Sequence, residues 1–237
     1  KYEAMDMNSS IGYATLLQDM GALSGQQGQH AEAAMLYAAS KELYEATGTT
    51  TSSNYADLLH DMGAVKMQLG DKTEALRIYA SAKTAYEALD VRNSTRLAAL
   101  LSCMGSCYLQ QGEAWHPEAS RSYAAAKEIY ENANAVDSAE YAELLQNMGA
   151  LCAQQVRLVE AAQLYALAKE TYNRAGIGAP GISNVTSSYI ALLQNMGACY
   201  AQQGDNEKAL ESYAEAASAL GNSPASATRA SLLQSMG

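Results

Sequence analysis

Five glutamines stand at one fixed place in this chain. Gln26, Gln68, Gln110, Gln154 and Gln202 each follow a Met-Gly pair by five residues. A primary amide both donates and accepts hydrogen bonds, so a row of amides on one surface can pair with the backbone of an extended peptide; the alternative reading is a solvated wall. Two further positions belong to the same pattern. Three residues before each glycine stand Gln18, His60, Ser102, Gln146, Gln194 and Gln234; two before it stand Asp19, Asp61, Cys103, Asn147, Asn195 and Ser235. Asp19, Asp57 and Asp61 make the first part of this surface acidic. The other reactive side chains form no catalytic set. His30, His60 and His116 are isolated, with no Ser or Cys nucleophile at matching spacing. Cys103 and Cys107 are four apart on one apolar pattern, but two thiols without a histidine in register are an incomplete metal site. Cys103, Cys107, Cys152 and Cys199 therefore read as buried thiols, suited to a cytoplasmic or other reducing intracellular compartment. The expectation is a protein with no enzymatic activity, cofactor or metal.

The elements that must carry these residues are written in a repeat. The phrases "LLQDMGA" at Leu16, "LLHDMGA" at Leu58, "LLSCMGS" at Leu100, "LLQNMGA" at Leu144 and Leu192, and "LLQSMG" at Leu232 place glycines at 21, 63, 105, 149, 197 and 237. A period of this size means a stacked array. Seven residues after the first five glycines comes a turn glycine, Gly28, Gly70, Gly112 and Gly204, with Val156 as the exception. Then come Ala33, Ala75, Ala119, Ala161 and Ala209, each followed four residues later by Tyr37, Tyr79, Tyr123, Tyr165 or Tyr213. Seven further on stand Tyr44, Tyr86, Tyr130, Tyr172 and Leu220. Spacings of four and seven share one helical face. All sixteen tyrosines fit four such positions, which predicts core packing rather than a stacking platform. Each unit reads as two antiparallel helices, with the glycine after Met and the small alanine opposite it letting them approach closely.

Between units lie Ser/Thr/Asn-rich linkers that supply helix caps, and "DSAE" (137–140) reads as an acidic capping box. "GIGAPG" (176–181) spells a dinucleotide fingerprint, but a helix precedes it and Pro180 interrupts it, so it reads as a lengthened linker. "GEAWHPEA" (112–119) adds two residues to a turn; Trp115 either folds over local apolar surface or stands out as a partner anchor. Lys41, Lys83, Lys127 and Lys169 recur in register on the second helices as a solvated charge stripe.

"LSCMGSCY" at Leu101, "LQNMGACY" at Leu193 and "AAMLY" at Ala33 resemble the two halves of the tetratricopeptide repeat, with Leu for Trp, Met for Leu and Tyr for Phe. The family's usual period is about 34 residues; the longer period and the "LQNMGA" phrase resemble the repeats of the kinesin light chain group. The usual proline at the repeat end is missing. The resemblance implies an all-α, right-handed α-solenoid of antiparallel helix hairpins whose first helices line a concave groove. It also implies a protein or peptide partner. Some members grip a carboxylate with Lys and Arg from these helices, and the positions three and two before and five after each glycine offer none, so an acidic tail is disfavoured.

The expected layout is a single array over 1–237, cut from a longer one. It comprises the end of a preceding repeat (1–8), repeats at 9–49, 50–91, 92–135, 136–182 and 183–223, and the first helix of a further repeat (224–237). No run of 18 apolar residues exists to span a membrane. A net charge of -10 lacks the footprint of a nucleic-acid binder. Two roles stay open: a scaffold or adaptor that takes a peptide through an amide-rich groove, or a permanent subunit of a large multiprotein assembly that uses its edges and convex face.

Overall fold

The computed structural model describes residues 2–89, 94–178 and 186–221. These residues form ten α-helices and, among them, no strand. The helices are α1 (Tyr2–Gln26), α2 (His30–Ala46), α3 (Ser53–Gln68), α4 (Lys72–Ala88), α5 (Thr95–Gln111), α6 (His116–Asn132), α7 (Ala139–Gln154), α8 (Leu158–Arg174), α9 (Ser187–Gln203) and α10 (Asn206–Gly221). A 3-10 turn, Glu113–Trp115, precedes α6. The chain forms two compact units, Lys1–Ile129 and Tyr130–Gly237. In the first, α1 packs on α2, α3 on α4, α2 on α3 and α4 on α5; in the second, α7 packs on α8, α8 on α9 and α9 on α10.

The repeated glycine explains the hairpin. A Cβ at Gly63 would sit 2.3 Å from Cε1 of Tyr79, and one at Gly149 would sit 2.6 Å from Cε1 of Tyr165. The same ring meets the same bare backbone at Gly21, Gly105 and Gly197. The missing side chain thus receives the tyrosine ring of the second helix, where the sequence suggested a backbone approach against alanine. The alanines lie buried one turn earlier on that helix. Successive repeats join through the other tyrosines. Tyr44 meets Tyr55 edge to face at 6.0 Å, Tyr130 meets Tyr141 at 5.7 Å, and Tyr172 meets Tyr189 at 5.7 Å. Such pairs add about 0.5–1.5 kcal/mol beyond burial.

Ser52, Ser94, Ser138 and Thr186 cap the first helices, accepting from Tyr55 N, Arg96 N, Tyr141 N and Tyr189 N. In "DSAE" the cap is thus Ser138; Asp137 instead pairs with Arg174 at 3.1 Å. The expected boundary between 8 and 9 does not break α1, which runs from Tyr2 to Gln26; no glycine or proline lies between Asp6 and Ser10 to interrupt helical backbone. "GIGAPG" follows a helix as expected, and its residues from 179 onward, like 224–237, lie outside the described residues.

The turn residues all take positive φ, including Val156 at φ 60°. A β-branched side chain is strained there, whereas glycine is not. Val156 is exposed and packs little, so Val156→Gly should stabilise the protein by about 1 kcal/mol. A lower urea midpoint for this variant would contradict the assignment.

Candidate peptide groove

The first-helix face of each unit holds three classes of residue. The glutamines five after glycine are exposed: Gln26, Gln68 and Gln110 in the first unit, Gln154 and Gln202 in the second. The Gln110 carbonyl accepts from Lys72 Nζ at 2.7 Å, which brings a cation beside this row that the sequence pattern did not predict.

The positions nearer the glycine behave otherwise. Gln18 Nε2 donates to Asp61 Oδ2 at 3.0 Å, and His60 Nε2 lies 3.4 Å from Cys103 Sγ. Both pairs are 43 residues apart and follow one rule: the residue three before glycine in one repeat meets the residue two before it in the next. A histidine therefore does stand beside Cys103, contrary to the sequence reading. Consecutive first helices bring it there, which spacing along one helix cannot reveal. Burial lowers the His60 pKa, against an opposing pull from Asp57, so the imidazole is held neutral. Burial raises the Asp61 carboxyl, with the Gln18 amide opposing and Asp57 adding to the rise. In the second unit the same two register positions hold Gln146 and Asn195, with Asn147 and Gln194 alongside; all four are half-buried. Asp19 is exposed.

Asp57 is occupied by its neighbours. It accepts from Tyr86 Oη on α4 and from the Arg96 guanidinium on α5. The corresponding positions in the second unit form a Ser188 Oγ–Glu143 bond of 2.8 Å. Hence residues nine before one glycine close onto residues six before the preceding glycine. Arg96 is the cation the sequence reading missed. Its register position was legible, but its partner was not.

The thiols join repeats. Cys107 Sγ donates to Lys72 O at 3.4 Å and Cys199 Sγ to Leu158 O at 3.3 Å. Burial raises the Cys107, Cys152 and Cys199 thiols above their ordinary range. Trp115 lies 5.5 Å from Tyr108 in a stacked pair and stays 40% exposed, so it covers local apolar surface and also faces solvent. In the lysine stripe, Lys41 pairs with Glu45 and Lys83 with Glu87 along their own helices, while Lys169 reaches Glu215 on α10.

A hairpin of this kind, with an aromatic ring seated on a helical glycine and repeated at a near-constant interval, defines the α-solenoid class. Residues 12–88 match the tetratricopeptide repeat family. No curated protein matches the sequence. Among solved structures, the chain is similar to a Rap protein complexed with Competence and Sporulation Factor, at 14% identity and TM-score 0.74 over 89% of this chain and 54% of that one. It is also similar to the nearly identical TPR-like repeats of a Podosopora anserina protein described as a kinesin light chain, at 13% identity and TM-score 0.66 over 87% and 93%. A third similar structure is YrrB, a TPR protein with an unusual peptide-binding site, at 18% identity and TM-score 0.52 over 99% and 97%. These likenesses are of fold. Tetratricopeptide repeats in general serve protein–protein interaction, and no helix among the described residues is long and apolar enough to cross a membrane.

Proposed function

We propose that this protein is a non-catalytic scaffold or adaptor. It binds an extended, neutral to basic partner peptide along the first-helix face, held largely through the peptide backbone. The exposed glutamine row carries this reading. Gln26, Gln68 and Gln110 keep their amides at the surface while Gln18, His60, Asp61 and Cys103, nearer the glycines, are spent on joining repeats. Asp19 supplies an exposed negative charge at the same face; Asp57 contributes little, since Arg96 already neutralises it. The unusual peptide-binding site of YrrB supports a polypeptide ligand.

The test is an array of extended peptides of basic, neutral and acidic composition, followed by titration calorimetry of the best binder. The double variant Gln68→Ala/Gln110→Ala should weaken that binder about tenfold, with little dependence on salt, because each neutral hydrogen bond contributes roughly 0.5–1.5 kcal/mol. Asp19→Lys should weaken a basic peptide by an amount that shrinks as salt rises, since exposed charges are screened over about 8 Å. Unchanged affinity in both variants removes the groove from the mechanism. The second reading, a structural subunit of a larger assembly, then stands ahead.

A further inference from the structure

The Asp57 site has a counterpart in the second unit with one member exchanged. In the first unit the Tyr86 hydroxyl donates to Asp57, and the Arg96 guanidinium holds the same carboxylate. The equivalent register positions in the second unit are Tyr172, Glu143 and Ser188. The ring and the carboxylate are kept, but a short neutral side chain stands at the arginine position. Ser188 Oγ donates to Glu143 Oε1 at 2.8 Å and cannot balance its charge. Glu143 is exposed and, among the described residues, forms no ion pair. Arg157, Lys169, Arg174 and Lys208, the described cations of this unit, each pair with another carboxylate.

Two buried polar atoms beside it lack partners. Tyr172 is 0% exposed, and its hydroxyl makes no hydrogen bond among the described residues. Burial, and then the Glu143 charge, raises the pKa of that hydroxyl, with the nearby Ser188 opposing and Glu140 adding to the rise. The hydroxyl is therefore a donor held close to two carboxylates. One turn after Glu143 on α7, Gln146 Oε1 is a buried acceptor with no partner. Such groups are uncommon in a folded protein. The first unit shows what completes the arrangement, a guanidinium that fixes the carboxylate over the tyrosine hydroxyl.

We infer that Glu143, Tyr172 and Ser188 seat an arginine side chain of the partner peptide, its guanidinium taking the place on Glu143 that Arg96 takes on Asp57. Resting on the peptide reading of the first-helix face, this seat adds a side-chain requirement to a backbone grip. With Glu143 fixed by the guanidinium, Tyr172 donates to it as Tyr86 does to Asp57, and further N–H groups are left for Gln146. Arginine is favoured over lysine, because a planar fork makes two parallel bonds to one carboxylate and a point charge does not.

The probe is N-acetyl-arginine methylamide, an arginine between two peptide bonds, titrated into the intact chain by amide NMR. Saturable shifts should appear at Glu143, Ser188 and their neighbours. The lysine analogue should bind more weakly, and the citrulline analogue, which keeps the shape without the charge, should give no saturable shift. Glu143→Gln should weaken binding at least about tenfold, since bonds to a charged acceptor become bonds to a neutral one. Ser188→Arg should abolish binding by filling the seat from within. It should keep its helical circular dichroism, because Arg96 occupies the same register position in the first unit. No saturable shift with the arginine probe, equal affinity for the lysine or citrulline analogue, or indifference to both variants overturns the inference. The strongest binder in the peptide array should contain an arginine whose replacement by citrulline weakens it. If Gln68→Ala/Gln110→Ala weakens that binder and citrulline does not, the arginine seat is overturned; the reverse result keeps the seat and removes the glutamine row.

Discussion

Leucine at position 149 should cost the fold about 3 kcal/mol, the upper end of what overpacking a core exacts. A Cβ there already falls 2.6 and 2.7 Å from Cε1 and Cδ1 of Tyr165, and that ring is 2% exposed. It cannot swing away without opening the α7–α8 contact, so the helices must separate. Urea denaturation followed by circular dichroism is the measurement. Gln202→Ala, an exposed change in the same unit, should stay within about 0.5 kcal/mol. Adding Tyr165→Ala to Gly149→Leu should recover part of the loss, because the two side chains compete for one space and their effects cannot be additive. Simple additivity would show that leucine and the ring never meet.

The other large effect belongs to Tyr86. Its ring is 1% exposed and its hydroxyl donates to Asp57, which Arg96 also holds. Burial, and then the Asp57 carboxylate, pushes the hydroxyl pKa well above the ordinary tyrosine range, so it remains a donor at any pH the protein survives. Tyr86→Ala leaves a cavity between α3 and α4 and should cost about 3–5 kcal/mol, as for other large aromatic truncations. Tyr86→Phe keeps the ring and removes a bond to a charged acceptor, for about 1.5–3 kcal/mol. Tyr44→Phe removes only a contact with the neutral Thr15 hydroxyl at 3.2 Å, and should cost roughly 0.5–1.5 kcal/mol. The expected order is Tyr86→Ala, then Tyr86→Phe, then Tyr44→Phe. If Tyr44→Phe proved as costly as Tyr86→Phe, the charge on Asp57 would not be part of the hairpin's stability.

These two sites differ in how they could be read. The Gly149–Tyr165 contact was visible as a spacing, because both residues belong to one hairpin whose helices are joined by a short turn. Its chemistry was visible less well: the spacing showed that something approached the glycine, and only the packed helices showed that a ring filled the place. Asp57 stood among the groove acids on its position alone. Its neutralisation by Arg96 needed the next repeat, 39 residues away. His60 was judged isolated, and Cys103 without a histidine in register, for the same reason.

The period, the hairpin and the glycine turns were determined by sequence alone, because each rests on helical periodicity and local backbone preference that recur along the chain; Val156 was the exception, and only the structure showed it at positive φ. Tertiary structure decided which polar residues remain available. A side chain on one first helix finds its partner on the next only after both hairpins have folded and stacked, since the register between them is set by tyrosines packed across the linker and not by any pattern within either helix. That is why Gln18, Asp61 and Asp57 turned inward to bond their neighbours while Gln26, Gln68 and Gln110, one or two turns further along, stayed at the surface.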